Sequence, residues 1–244
     1  TFYNNLIKRR HLVYNIRTVY EKVYRKFYDK VVETIGGKYK IYDNLKTVED
    51  CIDQGIKSVE EQEMYSYSVG ALLHDVGKVK DLDYFEGADG RDYERIKKHL
   101  FNSYKLVSQT SEYPLEVILT VALHHEYYGL GYGPYEKLHK MKIEKYQGFQ
   151  IQRIMSYNAK AIDDCEAFSY FPAKMLEIID VYDALMDPAR KYRGGKTFTP
   201  EEALNIMRED FIEKQVKLDP ILYDVFVEFL SNSIEKDLMS FKLN

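Results

Sequence analysis

The chain of 244 residues has no tryptophan, two cysteines and six histidines, and none of its apolar stretches approaches the ~20 residues of a membrane span. Cys51 and Cys165 make neither a CxxC pattern nor a disulfide framework, which fits a reducing, cytoplasmic setting. Internal repeats, low-complexity tracts and alternating strands of convincing length are all missing, which excludes solenoid, linker and sheet architectures and leaves an all-α fold. Neither sign of charge dominates. A net charge of -4 provides no global field to attract a nucleic acid polymer, so an anionic substrate needs local cations. No signal peptide is present and the first residue is Thr1, so the chain is expected to be a fragment or processed form with a segment upstream. With 45% hydrophobic and 30% charged residues, it is long and apolar enough to bury a core and is not disordered.

Helical periodicity runs through most of the chain. The first helix is expected from about Arg10 to Ile35, with Val13, Ile16, Val19, Val23, Phe27 and Val31 at three- and four-residue steps, and Gly36-Gly37 stops it. It is either a signalling helix or dimer seam, or a helix packed on its own domain. This gives an N-terminal segment, 1–44, ahead of a catalytic domain, 45–244. Further helices are expected over Lys46 to Val59, from Glu61 into His74-Asp75, over Tyr93 to Val107, and from Pro114 to Tyr127. Gly129-Leu-Gly-Tyr-Gly-Pro134 breaks the pattern, and Tyr135 to Phe171 reads as an insertion or flap. Pro172 opens the helix bearing Asp180, Thr199-Pro-Glu-Glu202 is a capping box, and Asp219-Pro220 starts the last helix.

Four of the six histidines belong to one ordered set: His74-Asp75, then His99, then His124-His125, then Asp180. Histidine with aspartate suits first-row transition metals, and a set this large could hold more than one ion. Adjacent residues on a helix point ~100° apart, so each doublet can offer two ligands from one turn. Asp75 could bridge two cations, and a shared water would then be hydroxide near neutral pH, ready for in-line attack on a phosphate ester. Asp180 is expected on the apolar stripe of Leu176, Ile179 and Asp183, where a carboxylate needs a partner or a metal. Glu49 is either one more ligand or part of a solvated helix face. Lys78 is placed to reach a phosphate oxygen, and Arg190 and Arg193 could clamp a phosphate between them. The residues thus point to a metal-dependent phosphohydrolase.

In this order, Leu-Leu-His74-Asp75-Val-Gly-Lys78, His99, His124-His125-Glu126, Gly129-Leu-Gly131-Tyr132, Ile179-Asp180-Val-Tyr-Asp-Ala-Leu185, Arg190-Lys-Tyr-Arg193 and Thr199-Pro-Glu-Glu-Ala203 resemble the HD superfamily of metal-dependent phosphohydrolases. More narrowly they are similar to its HD-GYP branch, the bacterial cyclic di-GMP phosphodiesterases, over roughly Leu45 to the C-terminus. The resemblance implies a helical bundle with a multinuclear metal site in its core. It implies that His74, Asp75, His99, His124, His125 and Asp180 bind two or three divalent ions, iron or manganese, with Glu49 the best match for an added glutamate ligand. It also implies that Lys78, Tyr132, Arg190 and Arg193 contact the substrate phosphates, that Asp75 and Lys78 are catalytic, and that the product is pGpG or GMP. A homodimer and an upstream sensory domain or diguanylate cyclase partner go with it. The alternatives are an HD phosphohydrolase for another nucleotide, or a module that binds a cyclic dinucleotide or a cyclase without turnover. The chain departs from the branch in the tyrosine loop: Tyr128 replaces an aspartate before the first glycine, the segment after His125 is one residue shorter, and Gly133 separates Tyr132 from Pro134. The connection from this loop to Asp180 is also longer. These departures fall where substrate is met.

Overall fold

Every element among the described residues is helical, as the periodicity requires. The structure, a computed structural model, describes residues 26–31, 33, 61–81, 93–109, 112–129, 131–132, 170–188 and 198–241. After a helical stretch at 26–31 come α1 (Glu61–Leu73), a 3-10 turn (Val76–Asp81), α2 (Tyr93–Ser108), α3 (Leu115–Leu123), a second 3-10 turn (Tyr127–Gly129) and α4 (Phe171–Met186). Next are α5 (Pro200–Ile206), which runs on as a π-helical segment (Met207–Lys214), and α6 (Pro220–Phe241). The expected helix over Lys46 to Val59, the flap Tyr135 to Phe171 up to residue 169, and the expected boundary at 44/45 lie outside the described residues. None of the described helices is long and apolar enough to cross a membrane.

The chain divides into two compact units, and the division falls inside α4, after Leu176. Among the described residues one unit holds 61–132 and 170–176, the other 26–33 and 177–241. The first unit is built around α3, which is apolar except at Glu116 and Thr120. Val117, Ile118, Leu119, Val121, Ala122 and Leu123 are all buried, as expected of a helix with so few polar residues. α1 packs on it through its small residues Ser66 and Gly70. A Cβ on Gly70 would stand 2.7 Å from the Cβ of Thr120, so the two helices approach as closely as a missing side chain permits. Gly70 and Thr120 each precede a histidine, His74 and His124, by one helical turn. The close approach therefore brings the two helix ends together. α2 packs on α3 and on the first 3-10 turn, burying Leu100, Ser103, Tyr104 and Val107.

In the second unit, Phe27, Tyr28 and Val31 are buried. The Tyr28 hydroxyl donates to Asp219 Oδ2 at 2.6 Å, and Asp219 Oδ1 accepts from the Leu222 amide at 2.9 Å, capping α6. Lys30 Nζ donates to the carbonyls of Glu213 and Lys214 at 3.3 and 3.4 Å, the open end of the π-helical segment. Over these residues the N-terminal helix thus packs on its own chain. Tyr28→Phe is expected to cost about 1–2 kcal/mol, measured by urea unfolding, because the buried carboxylate loses a donor. The capping box forms as expected, with Thr199 N donating to Glu202 Oε2 at 2.8 Å and Glu202 N to Thr199 Oγ1 at 3.2 Å. Nothing in the sequence announced the π-helical segment, whose Gln215 amide bonds Asp210 O at 3.1 Å.

Candidate metal centre

The His74-Asp75 and His124-His125 pairs both lie just beyond a helix, not on it. α1 ends at Leu73 and α3 at Leu123, so His74-Asp75 and His124-His125 occupy the turns that follow, which corrects the expectation of helical doublets. The reason is chemical. The last four carbonyls of a helix lack intrahelical donors, and here one at each end takes an imidazole. His74 Nδ1 lies 2.6 Å from Ala71 O, and His124 Nδ1 lies 2.8 Å from Val121 O, the same three-residue step back. A carbonyl can only accept, so Nδ1 of each ring carries the proton and Nε2 of the neutral ring carries the lone pair. Two helix C-termini, each with a partial negative charge, also end at this point, which favours a cation.

The rings gather around these ends. His74 and His124 centroids are 4.9 Å apart, His124 and His125 4.1 Å, His99 and His125 5.3 Å, and His99 and His124 5.8 Å. Ligand atoms lie within 4.8 Å of one another in two groups, His99-His124-His125 and His74-Asp75-His124, which share His124. The Nε2 atoms of His74, His99 and His124 are closed to solvent. Asp75 Oδ1 lies 3.1 Å from His99 Nε2, and Asp75 Oδ2 lies 3.4 Å from His74 Nε2. With Nδ1 of His74 committed to Ala71, that second contact sets acceptor against acceptor unless a cation, a proton or a metal ion, stands with them. The donor set, its burial and its fixed tautomers all fit divalent transition metals.

Lys78 supplies positive charge at the same carboxylate. Its Nζ pairs with Asp75 Oδ2, and its amide donates to Asp75 O at 2.9 Å. Burial raises the Asp75 pKa, but the His74 contact and the Lys78 ammonium outweigh it and hold the carboxyl well below the usual range. Burial pushes His125 well below the ordinary 6.5, and charge on His124 and His99 adds to this while Asp75 opposes it. His125 is therefore neutral at neutral pH, the form in which an imidazole could hold a metal. The linkage has a definite sign. The unfolded chain takes up a proton on His125 near 6.5 while the fold keeps the ring neutral, so the metal-free protein loses stability as pH falls below 6.5. Urea midpoints at pH 7.5, 6.5 and 5.5 should decrease in that order.

His99 stands inside α2, as expected, and is buried. Gly77 holds the Asp75 turn against it. The Gly77 amide donates to Ser103 Oγ at 2.7 Å, and a Cβ on Gly77 would stand 2.2 Å from His99 O. Tyr132 packs beside the histidines, its ring 4.5 Å from that of His125 and 6.2 Å from that of His99. Tyr127 Oη lies 3.0 Å from His125 Nδ1. Asp180 is half-buried on α4 in the second unit. The stripe assigned to it does not hold, because Ile179 and Asp183 are exposed, and the buried residues of α4 include Lys174, Glu177, Ile178 and Val181. Glu49, Arg190 and Arg193 lie outside the described residues.

Sequence reasoning passed over Ser103, Tyr127 and Lys174, and met Tyr128 only as a departure in the tyrosine loop. Only Lys174 left a trace, as a lysine spaced four and seven residues from the apolar Ile178 and Val181. Compared with known proteins, residues 52–162 match the HD domain family. The matched stretch contains His74, Asp75, Lys78, His99, His124, His125 and Tyr132. No curated protein and no solved structure matches the chain. The match and the cluster together suggest a metal-dependent phosphohydrolase.

Proposed function

We propose that the protein is a metal-dependent phosphodiesterase that opens cyclic di-GMP to pGpG or GMP. The observation that carries the chemistry is the pair of ligand groups sharing His124, an arrangement suited to more than one divalent ion. Held there, such ions supply Lewis acidity and activate water near neutral pH. The chain's own residues have separable tasks. His74, Asp75, His99, His124 and His125 bind the ions, with Asp180 and Glu49 proposed as further ligands. Lys78 meets a non-bridging phosphate oxygen and balances the charge on Asp75. Tyr132 borders the substrate next to His125, and Arg190 and Arg193 clamp the second phosphate.

The choice of cyclic di-GMP rests on the ordered set from His74 to Arg193, which is the part of the reading that reaches beyond the HD domain. Iron or manganese is the proposed metal. The test is chromatography of products after incubation of manganese- or iron-loaded protein with cyclic di-GMP, alongside an Asp75→Ala control. The parent alone should yield pGpG or GMP. If the loaded parent leaves cyclic di-GMP intact yet hydrolyses another nucleotide, the substrate assignment is wrong and the HD phosphohydrolase reading stands.

A further inference from the structure

Lys174 is a buried lysine, 2% exposed, for which the reaction as proposed has no use. Its Nζ lies 4.0 Å from the centre of the Tyr128 ring, and Tyr128 is itself wholly buried. An ammonium over an aromatic face is attracted most strongly where both are desolvated. Tyr128 is also conformationally unusual. Tyr127 and Tyr128 have φ of 44° and 55°, a left-handed backbone that two successive non-glycine residues adopt only when the surroundings enforce it.

This strained pair reverses the chain one residue after the His124-His125 doublet. The Gly131 amide then bonds Glu126 O at 3.1 Å and the Tyr132 amide bonds His125 O at 3.2 Å, closing the turn on itself. Room for the closure exists only at a glycine, since a Cβ on Gly131 would stand 1.7 Å from His125 O. The same reversal sets Tyr127 Oη at His125 Nδ1 and the Tyr132 ring beside the His125 ring. One imidazole is thus held by a turn of high intrinsic cost, and Lys174 covers the aromatic side chain at the apex of that turn.

We propose that Lys174 is a positioning residue: by holding the Tyr128 ring it keeps the turn from Glu126 to Tyr132 in the conformation that sets His125 and Tyr132 at the metal centre. The role in metal binding rests on the function proposed above, whereas the role in holding the turn does not. The test compares full-length Lys174→Met, Lys174→Arg, Tyr128→Leu and Tyr128→Phe with the parent. Three quantities are read: manganese affinity by calorimetry, hydrogen exchange of the Gly131 and Tyr132 amides, and the melting temperature.

Lys174→Met and Tyr128→Leu should each weaken manganese binding by at least ~10-fold, the range of outer-shell changes at metal sites, and speed exchange at both amides. The double variant should be no worse than either single one, since both break the same contact. Lys174→Arg and Tyr128→Phe keep a cation over a ring and should behave as the parent does. Should Lys174→Met not fold, Tyr128→Leu carries the same expectation with the lysine in place. Variants that melt lower yet keep the parent's manganese affinity and amide protection while folded would overturn the proposal and make Lys174 a packing residue only. If the parent itself binds no manganese, the metal reading fails, and exchange at Gly131 and Tyr132 alone decides whether Lys174 holds the turn.

Discussion

Asp75→Ala is expected to empty the metal centre and to lower phosphodiester hydrolysis by about a thousandfold or more, since a catalytic ion contributes several kcal/mol and each 1.36 kcal/mol is tenfold in rate. Asp75 is the point at which the cluster is joined. Its Oδ1 faces His99, and its Oδ2 faces both His74 and Lys78. Removing the carboxylate leaves the Lys78 ammonium beside the histidines with nothing to balance it, which itself opposes a cation. The fold should survive, because Asp75 is partly exposed and lies in a turn between elements. The measurements are metal content by atomic emission and hydrolysis of both cyclic di-GMP and a simple aryl phosphodiester. The second substrate separates loss of chemistry from loss of recognition. An Asp75→Ala protein that holds its metal and turns over either substrate at the parental rate would sink the assignment.

Gly77→Ala should be nearly as damaging, through packing instead of chemistry. Alanine usually improves a helical or turn position when the backbone permits it, so a loss here would be diagnostic. The new methyl would meet His99 O at 2.2 Å and Ser103 N at 2.4 Å, which are backbone atoms of α2 and cannot rotate away. Either the turn leaves α2 or α2 shifts. In both cases Asp75 moves relative to His99, whose Nε2 now lies 3.1 Å from Asp75 Oδ1. Overpacking of this severity is expected to cost about 3 kcal/mol, the upper part of the usual range, and to weaken metal binding in whatever folds. Urea unfolding and a manganese isotherm check it. A neutral or stabilising Gly77→Ala would mean that the turn does not lie against α2 as described.

The all-helical composition of the fold could be read from the sequence because helix formation is a local matter. Apolar residues at three- and four-residue spacing, Pro172 near the start of α4, the box at Thr199 and Asp219 ahead of Pro220 each act within a few residues, and each acts as expected. The cluster was also legible, since His74, Asp75, His99, His124 and His125 are metal-ligating residue types in a recurring order, and the fold brings their donor atoms together. The stripe drawn through Asp180 failed for a related reason: periodicity shows which residues share a face, not which face is covered, and Ile179 turns out exposed.

Local sequence thus accounts for the helices and the chemical character of the cluster, and residues 52–162 match the HD domain family. The tertiary structure alone decided how those ligands are oriented. The approach of α1 to α3 at Gly70 and Thr120, the seat of Gly77 on α2 and the cover of Lys174 over Tyr128 all join residues that are dozens of positions apart. Such contacts leave no periodic mark, because a missing Cβ or a buried ammonium takes its meaning from the surface brought against it. Even the ends of α1 and α3 became informative only in three dimensions, where their free carbonyls fix the His74 and His124 rings and turn both lone pairs toward one point.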